Sequence, residues 1–255
     1  MSMKKSLFGV GLIIAVLIAA GARADEREDF LAGRARDCPH CDLSGVDLKR
    51  HDLTGADLTG AKLTAANLHD AKLANAHLPG ADLSGANLNK ADLSRADLAG
   101  AKLRAAMLYA AVLDGAKLIG ADLGDALMGT ARLARADLSG ATLRSADLRK
   151  SRMAEAKLGG GDLTAAALDF AFLRGAQFVG AKLVGARLIG AELVAADLTG
   201  ADLTDADASG ANLREANLAH ADLARANFRK ADMYETKLDD AVFLETIMPD
   251  GVVRP

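Results

Sequence analysis

The feature that most constrains this chain is a period of five residues. From Leu43 to Met248 every fifth residue is apolar, and all of these residues are large except Ala208. Leu fills 34 of these 42 positions, and Ala fills 35 of the 42 positions that lie two residues before them. If the Leu position is called i, position i−1 is mostly Asp, Asn or Lys, and position i+2 is often Gly. Such regularity predicts a stack of identical small units.

Neither regular secondary structure has this period, because a helix repeats near 3.6 residues and a flat strand repeats at 2. Residues i−2 and i are two apart, so they point to the same side of a short extended segment. The next inward residue comes three positions after i, which a straight strand cannot supply, so residues i+1 and i+2 must turn the chain. Gly occupies i+2 in 16 units, as in Leu78-Pro79-Gly80-Ala81, and this favours type II turns with a positive φ there. The period thus predicts an all-β solenoid that winds around an inner column of Leu and Ala.

The charges at i−1 predict how many sides close one coil. Residues one coil apart stack roughly 4.8 Å from each other, so like charges in that relation repel. At a spacing of 20 residues the charged i−1 pairs are opposite in 12 cases and alike in 2, whereas at 15 residues they are opposite in 7 and alike in 8. The sequence therefore predicts a four-sided parallel coil, about ten coils over 41–248, and a rod roughly 50 Å long.

These repeats resemble those of the pentapeptide-repeat family, whose motif is written A(D/N)LxX, and the similarity covers about 41–248. The resemblance implies a right-handed four-sided β-helix and no family-wide catalytic residues. Most members have no defined role, and a minority resemble DNA in shape and charge and protect type II topoisomerases. That DNA-mimic function is an alternative here, although it needs a cytoplasmic protein with a continuous acidic face, and Lys interrupts the acidic columns.

The first 24 residues are typical of a secretory signal peptide. Lys4 and Lys5 precede an apolar run over 7–20, which is shorter than the roughly 20 residues of a membrane-spanning helix, and Ala22-Arg23-Ala24 forms the expected cleavage site. An uncleaved anchor is the alternative. Cleavage would change the net charge from −3 to −6, which does not favour nucleic-acid binding. We expect a periplasmic or secreted protein with a cap segment over 25–40 and a tail over 249–255.

The sharpest local motif is Cys38-Pro39-His40-Cys41, which matches the active-site tetrad of thioredoxin-type disulfide oxidases. A repeat begins at once with Asp42, however, and no helix of the required kind follows. The sequence favours a structural pair, either a disulfide or two buried thiols at the open end of the coil. Redox activity and a metal site are the alternatives, and export to an oxidising compartment favours the disulfide.

One region departs from the alternation of charges. On coils of 20 residues an outward column contains two stacked cations flanked by apolar groups, and an adjoining corner adds basic and aromatic residues. The candidate partner-binding residues are Tyr109, Val112, Arg132, Arg149, Lys150, Arg152, Phe170 and Phe172. A mixed apolar and basic patch suggests a docking site, and drift of a tolerant surface is the alternative.

The sequence therefore predicts a non-catalytic exported scaffold that binds a protein or an envelope component through its outer sides. We expect no cofactor, no metal, no nucleic acid and no membrane span after cleavage. The last repeats give way to Pro249 and Gly251 without a long helix, which indicates a monomer or a weak end-to-end oligomer.

Overall fold

The computed structural model describes residues 26–255, so the predicted signal peptide lies outside the described part of the chain. A short helix, α1, spans 26–31. Strands β1 (Thr246–Ile247) and β2 (Val253–Arg254) form an antiparallel pair at the other end. Among residues 26–255 no helix is long and apolar enough to cross a membrane.

Between these ends the chain winds in coils of twenty residues. Parallel bridges join each i−1 residue to the i−1 residue of the next coil, twenty positions later. The first bridge joins Asp42 to Lys62 and the last joins Asn227 to Ile247. One coil therefore contains four pentapeptides, which is the register that the charges predict. Leu and Ala at positions i and i−2 point inward and are buried almost without exception, so the core is a continuous column along the axis.

The hydrogen bonds of one unit, 81–85, show why the repeat takes this form. The N–H groups of Asp82, Leu83 and Gly85 donate to carbonyls of the neighbouring coils over 2.9, 2.7 and 2.9 Å. The N–H of Ala81 closes the preceding corner over 3.1 Å. Only the N–H of Ser84 has no backbone acceptor, and the Asp82 carboxylate accepts it over 3.0 Å. The Asp or Asn at i−1 thus satisfies the one backbone donor that the coil leaves over.

Every corner residue at i+2, from His40 to Glu245, has a positive φ, and Gly occupies only 16 of these 42 corners. The other corners hold residues such as Ala65 and Phe170, with φ of 55° and 57°. Sequence reasoning assigned this conformation only where Gly is present. The coil imposes it elsewhere, because hydrogen bonds to adjacent coils hold both flanking segments and offset the steric cost of the left-handed region.

The side chain at i−1 also explains a pKa effect. Asp57 accepts from the Thr59 hydroxyl over 2.6 Å and from the Thr59 N–H over 3.0 Å, and these bonds lower the pKa of Asp57 below its ordinary value of 3.8. Ser or Thr at i+1 lowers the pKa of other i−1 carboxyls in the same way, namely Asp42, Asp52 and Asp82.

We therefore expect acid to destabilise the rod. A carboxyl with a lowered folded pKa stabilises the fold above its unfolded pKa, and this contribution is lost as pH falls through the folded pKa. Replacing the four carboxyls, Asp42, Asp52, Asp57 and Asp82, by Asn keeps the acceptor but removes the titration. Urea unfolding between about pH 5 and pH 2 should show a shallower loss of stability in this variant than in the native chain. Equal slopes would show that these bonds do not contribute to acid unfolding.

The two ends of the rod differ. At the first coil, Phe30 of α1 packs onto the core and is only 5% exposed. Arg27 donates to the Asp42 carbonyl over 2.7 Å, and the Asp37 carboxylate accepts the Asp57 N–H over 2.8 Å. These side chains satisfy backbone groups that a preceding coil would otherwise bind, so the segment before the repeats caps the open edge.

At the last coil the inward residues Met233, Leu238 and Phe243 are only partly buried. The antiparallel pair of β1 and β2 folds beside them, and the Arg254 guanidinium lies 4.1 Å from the centroid of the Phe243 ring. The C-terminal end is therefore less completely closed than the N-terminal end.

Candidate interaction surface

The structure places the candidate partner-binding residues on one side of the rod and on the corner next to it. Successive bridges join Val112 to Arg132, Arg132 to Arg152, and Arg152 to Phe172, so these four residues form one outward column. The adjoining corner carries the others, which are Tyr109, Arg149, Lys150 and Phe170. The predicted residues thus lie together, and we call them, with Met107, Leu127 and Gly129, the mixed surface.

A notch lies on the corner side of the mixed surface, with a volume of about 460 Å³. Met107 and Leu127, which are bridged to each other, line it with the Tyr109 ring and the Arg149 side chain. Gly129 lies between Tyr109 and Arg149 in the same corner column. A Cβ at Gly129 would approach the Tyr109 ring to 3.5 Å, so a larger side chain there would fill the notch.

Sequence reasoning missed Gly129. It occupies position i+1, where the backbone has no positive φ and does not require glycine. A glycine at i+1 rather than i+2 was the available signal, because such a residue contributes space and not a turn.

Lys150 connects the notch to a second concavity. Together with Phe170 and Phe172 it lines a hollow of about 420 Å³, and it also lies at the edge of the notch. Both rings are about half exposed, at 54% and 50%. The Phe170 ring lies over Gly190, where an added Cβ would come within 2.7 Å of a ring carbon. Because Gly190 has no side chain, the Phe170 ring can pack directly against the backbone of the next coil.

The sequence predicts two stacked cations in the outward column, and the structure bridges Arg132 to Arg152 as expected, but Arg132 and Arg149 have carboxylate partners. Arg132 Nη2 lies 2.5 Å from Asp114 Oδ2, so its charge is neutralised. Arg149 forms a two-pronged pair with Asp147 over 2.8 and 2.6 Å, and this pairing raises the pKa of Arg149 and lowers that of Asp147. Neither Asp114 nor Asp147 lies in the same i−1 column as the cation that it pairs with, so the column analysis of the sequence did not predict these ion pairs.

A third cation beside the mixed surface is also paired. Asp169 follows Arg149 in the corner column and is buried, and Arg187 Nη2 lies 3.3 Å from its Oδ2. Lys150 and Arg152, by contrast, form no ion pair with any residue of the described range 26–255. The available positive charge therefore belongs to these two exposed residues.

Cys38 and Cys41 are joined by a disulfide and are buried at the first corner. The Cys41 N–H donates to the Cys38 carbonyl over 3.3 Å, and the Cys38 N–H donates to the Asp57 carbonyl of the next coil over 2.9 Å. This is a corner of the coil and not the helix N-terminus that activates a redox thiol. Burial also keeps an attacking thiolate away from both sulfurs. Within 26–255 no group of three or more His, Cys, Asp or Glu side chains could hold a metal ion.

Comparison with known proteins identifies the family. The profile of pentapeptide repeats matches the chain in eight copies, over residues 37–70, 66–104, 131–169, 171–207 and 209–243. The chain belongs to the pentapeptide-repeat family. Its right-handed β-helix is thereby shown, and the resemblance noted in the sequence is confirmed. Members of this family are generally non-enzymatic structural proteins.

Two solved pentapeptide-repeat structures illustrate the similarity. HetL, which is involved in heterocyst differentiation regulation in the cyanobacterium Nostoc sp. strain PCC 7120, is 36% identical, with a TM-score of 0.69 over 88% of this chain and 96% of HetL. QnrB1, a plasmid-mediated fluoroquinolone resistance protein, is 18% identical, with a TM-score of 0.52 over 78% of this chain and 89% of QnrB1. The second similarity shows the fold alone. No curated protein matches the chain.

Proposed function

We propose that this pentapeptide-repeat protein is a non-catalytic exported scaffold, a rod of about ten coils, that binds a protein of the cell envelope through the mixed surface. The observation that carries the proposal is the clustering of exposed apolar groups. Tyr109, Leu127, Phe170 and Phe172 are each at least half exposed and lie on one corner and its adjoining sides. Exposed apolar groups rimmed by polar residues are typical of protein interaction sites.

Export supports the same proposal. The apolar run over 7–20 and the small residues before Asp25 have the pattern of a cleaved leader, and a disulfide is stable in an oxidising compartment. The sequence argument against topoisomerase protection stands beside it, because Lys62 and Lys102 interrupt the Asp column that a DNA mimic would need to be continuous.

The test is capture from an envelope extract of the source organism, with the exported chain as bait. We expect the variant Lys150→Glu/Arg152→Glu to lose a partner that the native chain captures, because both substitutions reverse charges that have no internal partner. The control is Arg229→Glu/Lys230→Glu, which makes the same change of charge on two exposed residues at the corner of the rod four coils beyond Lys150.

Melting temperatures should remain nearly equal for the native chain and both variants, because all four substituted residues are exposed. Identical captured proteins from all three baits would reject the mixed surface as the binding site. Mass spectrometry of the bait recovered from the periplasm should give Asp25 as its first residue. A chain that retains residues 1–24 in the cytoplasm would reject export.

A further inference from the structure

The mixed surface has two adjoining hollows, and their arrangement constrains what can occupy them. The notch over Gly129 and the hollow between Phe170 and Phe172 share a single residue, Lys150, at their boundary. Tyr109 and Phe170 lie on the same corner about three coils apart, roughly 14 Å along the axis. An extended peptide of about five residues, with a rise of about 3.3 Å per residue, covers that distance.

The charges around the two hollows indicate the charge of the ligand. Three cations around the hollows, Arg132, Arg149 and Arg187, each have a carboxylate within the rod. Lys150 and Arg152 have none among residues 26–255, and they lie at the boundary of the notch and beside Phe172. A ligand that carries carboxylates would supply the partners that the rod supplies to the other three cations.

We propose that the mixed surface binds an extended acidic peptide segment that carries aromatic or aliphatic anchor residues, and this inference rests on the function proposed above. One anchor fills the notch over Leu127 and Gly129, and a carboxylate two residues along the extended chain, on the same face, pairs with Lys150. A second anchor packs on Phe170 and Phe172, where a further carboxylate reaches Arg152. Apolar anchors set in a charged rim are the usual source of affinity at such surfaces.

Nucleic acid does not fit this arrangement. A phosphate backbone requires a stripe of free cations, whereas two free cations here lie among the carboxylates Asp114 and Asp147. The overall charge of −3 also opposes a polyanion. A peptide with few carboxylates and two apolar side chains matches both the number of free cations and the number of hollows.

The probe for the test is a fluorescein-labelled peptide with the core Phe-Ser-Glu-Ser-Leu-Ser-Asp, in which the two anchors and the two carboxylates fall on one face of an extended chain. It is titrated with the purified exported protein and followed by anisotropy. A second probe replaces each acidic residue by Lys, and a third replaces Phe and Leu by Ala. We expect saturable binding of the first peptide, weakened by salt, and at least about tenfold weaker binding of the other two.

Two variants place the peptide on the surface. Gly129→Leu fills the notch and should weaken binding at least about tenfold, and Lys150→Gln should weaken it by a similar factor. The matched control is Gly159→Leu, another glycine at i+1 without a positive φ, for which binding should change less than about twofold. Melting curves of the three variants separate loss of binding from loss of folding.

The proposal is overturned if the acidic peptide does not bind at millimolar concentration, if the Lys-containing peptide binds equally well, or if Gly129→Leu and Gly159→Leu behave alike. Vesicles of phosphatidylglycerol and phosphatidylcholine form a further arm. Binding to these vesicles that depends on Lys150, without binding of the peptide, would replace the peptide by an anionic membrane. Capture of an envelope protein that depends on Lys150 but not on Gly129 would retain the proposed function while rejecting the peptide.

Discussion

Replacing Phe228 by Leu should destabilise the rod substantially more than replacing Phe178 by Leu. Both rings are fully buried in the core, but their neighbours in the column differ. Phe228 lies one coil above Ala208, the only small residue at a Leu position, whereas Phe178 lies between Leu158 and Leu198. We therefore expect Phe228 to fill space that Ala208 leaves, so that its loss creates a gap comparable to a Leu-to-Ala cavity, which costs roughly 2–5 kcal/mol.

The same argument predicts a rescue. Ala208→Leu alone should destabilise the rod by about 1–3 kcal/mol, because the added atoms meet the Phe228 ring. The double variant Ala208→Leu/Phe228→Leu restores the ordinary Leu column and should be close to the native chain in stability. Denaturant unfolding of the four chains gives the coupling energy, which should favour the double variant by more than about 2 kcal/mol over additivity.

Additive effects of Ala208→Leu and Phe228→Leu would show that these residues do not compensate each other. Equal losses for Phe228→Leu and Phe178→Leu would point to the same conclusion. Each repeat of a solenoid contacts only its neighbours, so a variant can unfold in parts. The free energies of unfolding are therefore compared only between variants whose denaturant transitions have equal slopes.

The period and the charges of the repeat were enough to predict the core and the register of the fold. Leu and Ala at fixed positions can be buried together only if the chain turns every five residues, and opposite charges such as those of Asp42 and Lys62 favour a spacing of twenty. Both features are local or strictly repeated, so a single sequence contains them in full.

The corners and the ion pairs were less accessible. Residues such as Ala65 take a positive φ because hydrogen bonds to the coils above and below require it, and no local preference indicates this. The pairing of Arg132 with Asp114 crosses from a side to the corner of the previous coil. A long side chain can reach a carboxylate on a neighbouring corner, and a comparison along the i−1 column alone does not include such partners.

The break in the charge pattern was enough to locate the candidate surface, and the structure places those residues together on one side and the corner next to it. The sequence did not predict the shape of this surface. The notch depends on Gly129, and the distribution of free charge depends on three carboxylates, Asp114, Asp147 and Asp169. Each of these four residues stands at an outward position of the repeat, i−1 or i+1, and only the packing of neighbouring coils gives it a role.

The cap at the N-terminal end leads to the second large effect. Phe30→Ala should lower the free energy of unfolding by about 3 kcal/mol, near the lower end for truncation of a buried Phe, and should promote aggregation. Phe30 packs on the core of the first coil, so its loss uncovers apolar side chains as well as the backbone edge that α1 protects. An uncovered edge can pair with another chain.

Leu31→Ala is the matched control, because Leu31 belongs to the same helix but is 38% exposed. We expect the control to change stability by less than about 1 kcal/mol and to leave light scattering at the native level. If the two substitutions lower stability equally, α1 contributes only through its backbone and the packing of Phe30 on the first coil is not what closes the rod. If Phe30→Ala melts early without scattering, the edge is protected by the Arg27 and Asp37 side chains, which continue to occupy its backbone groups.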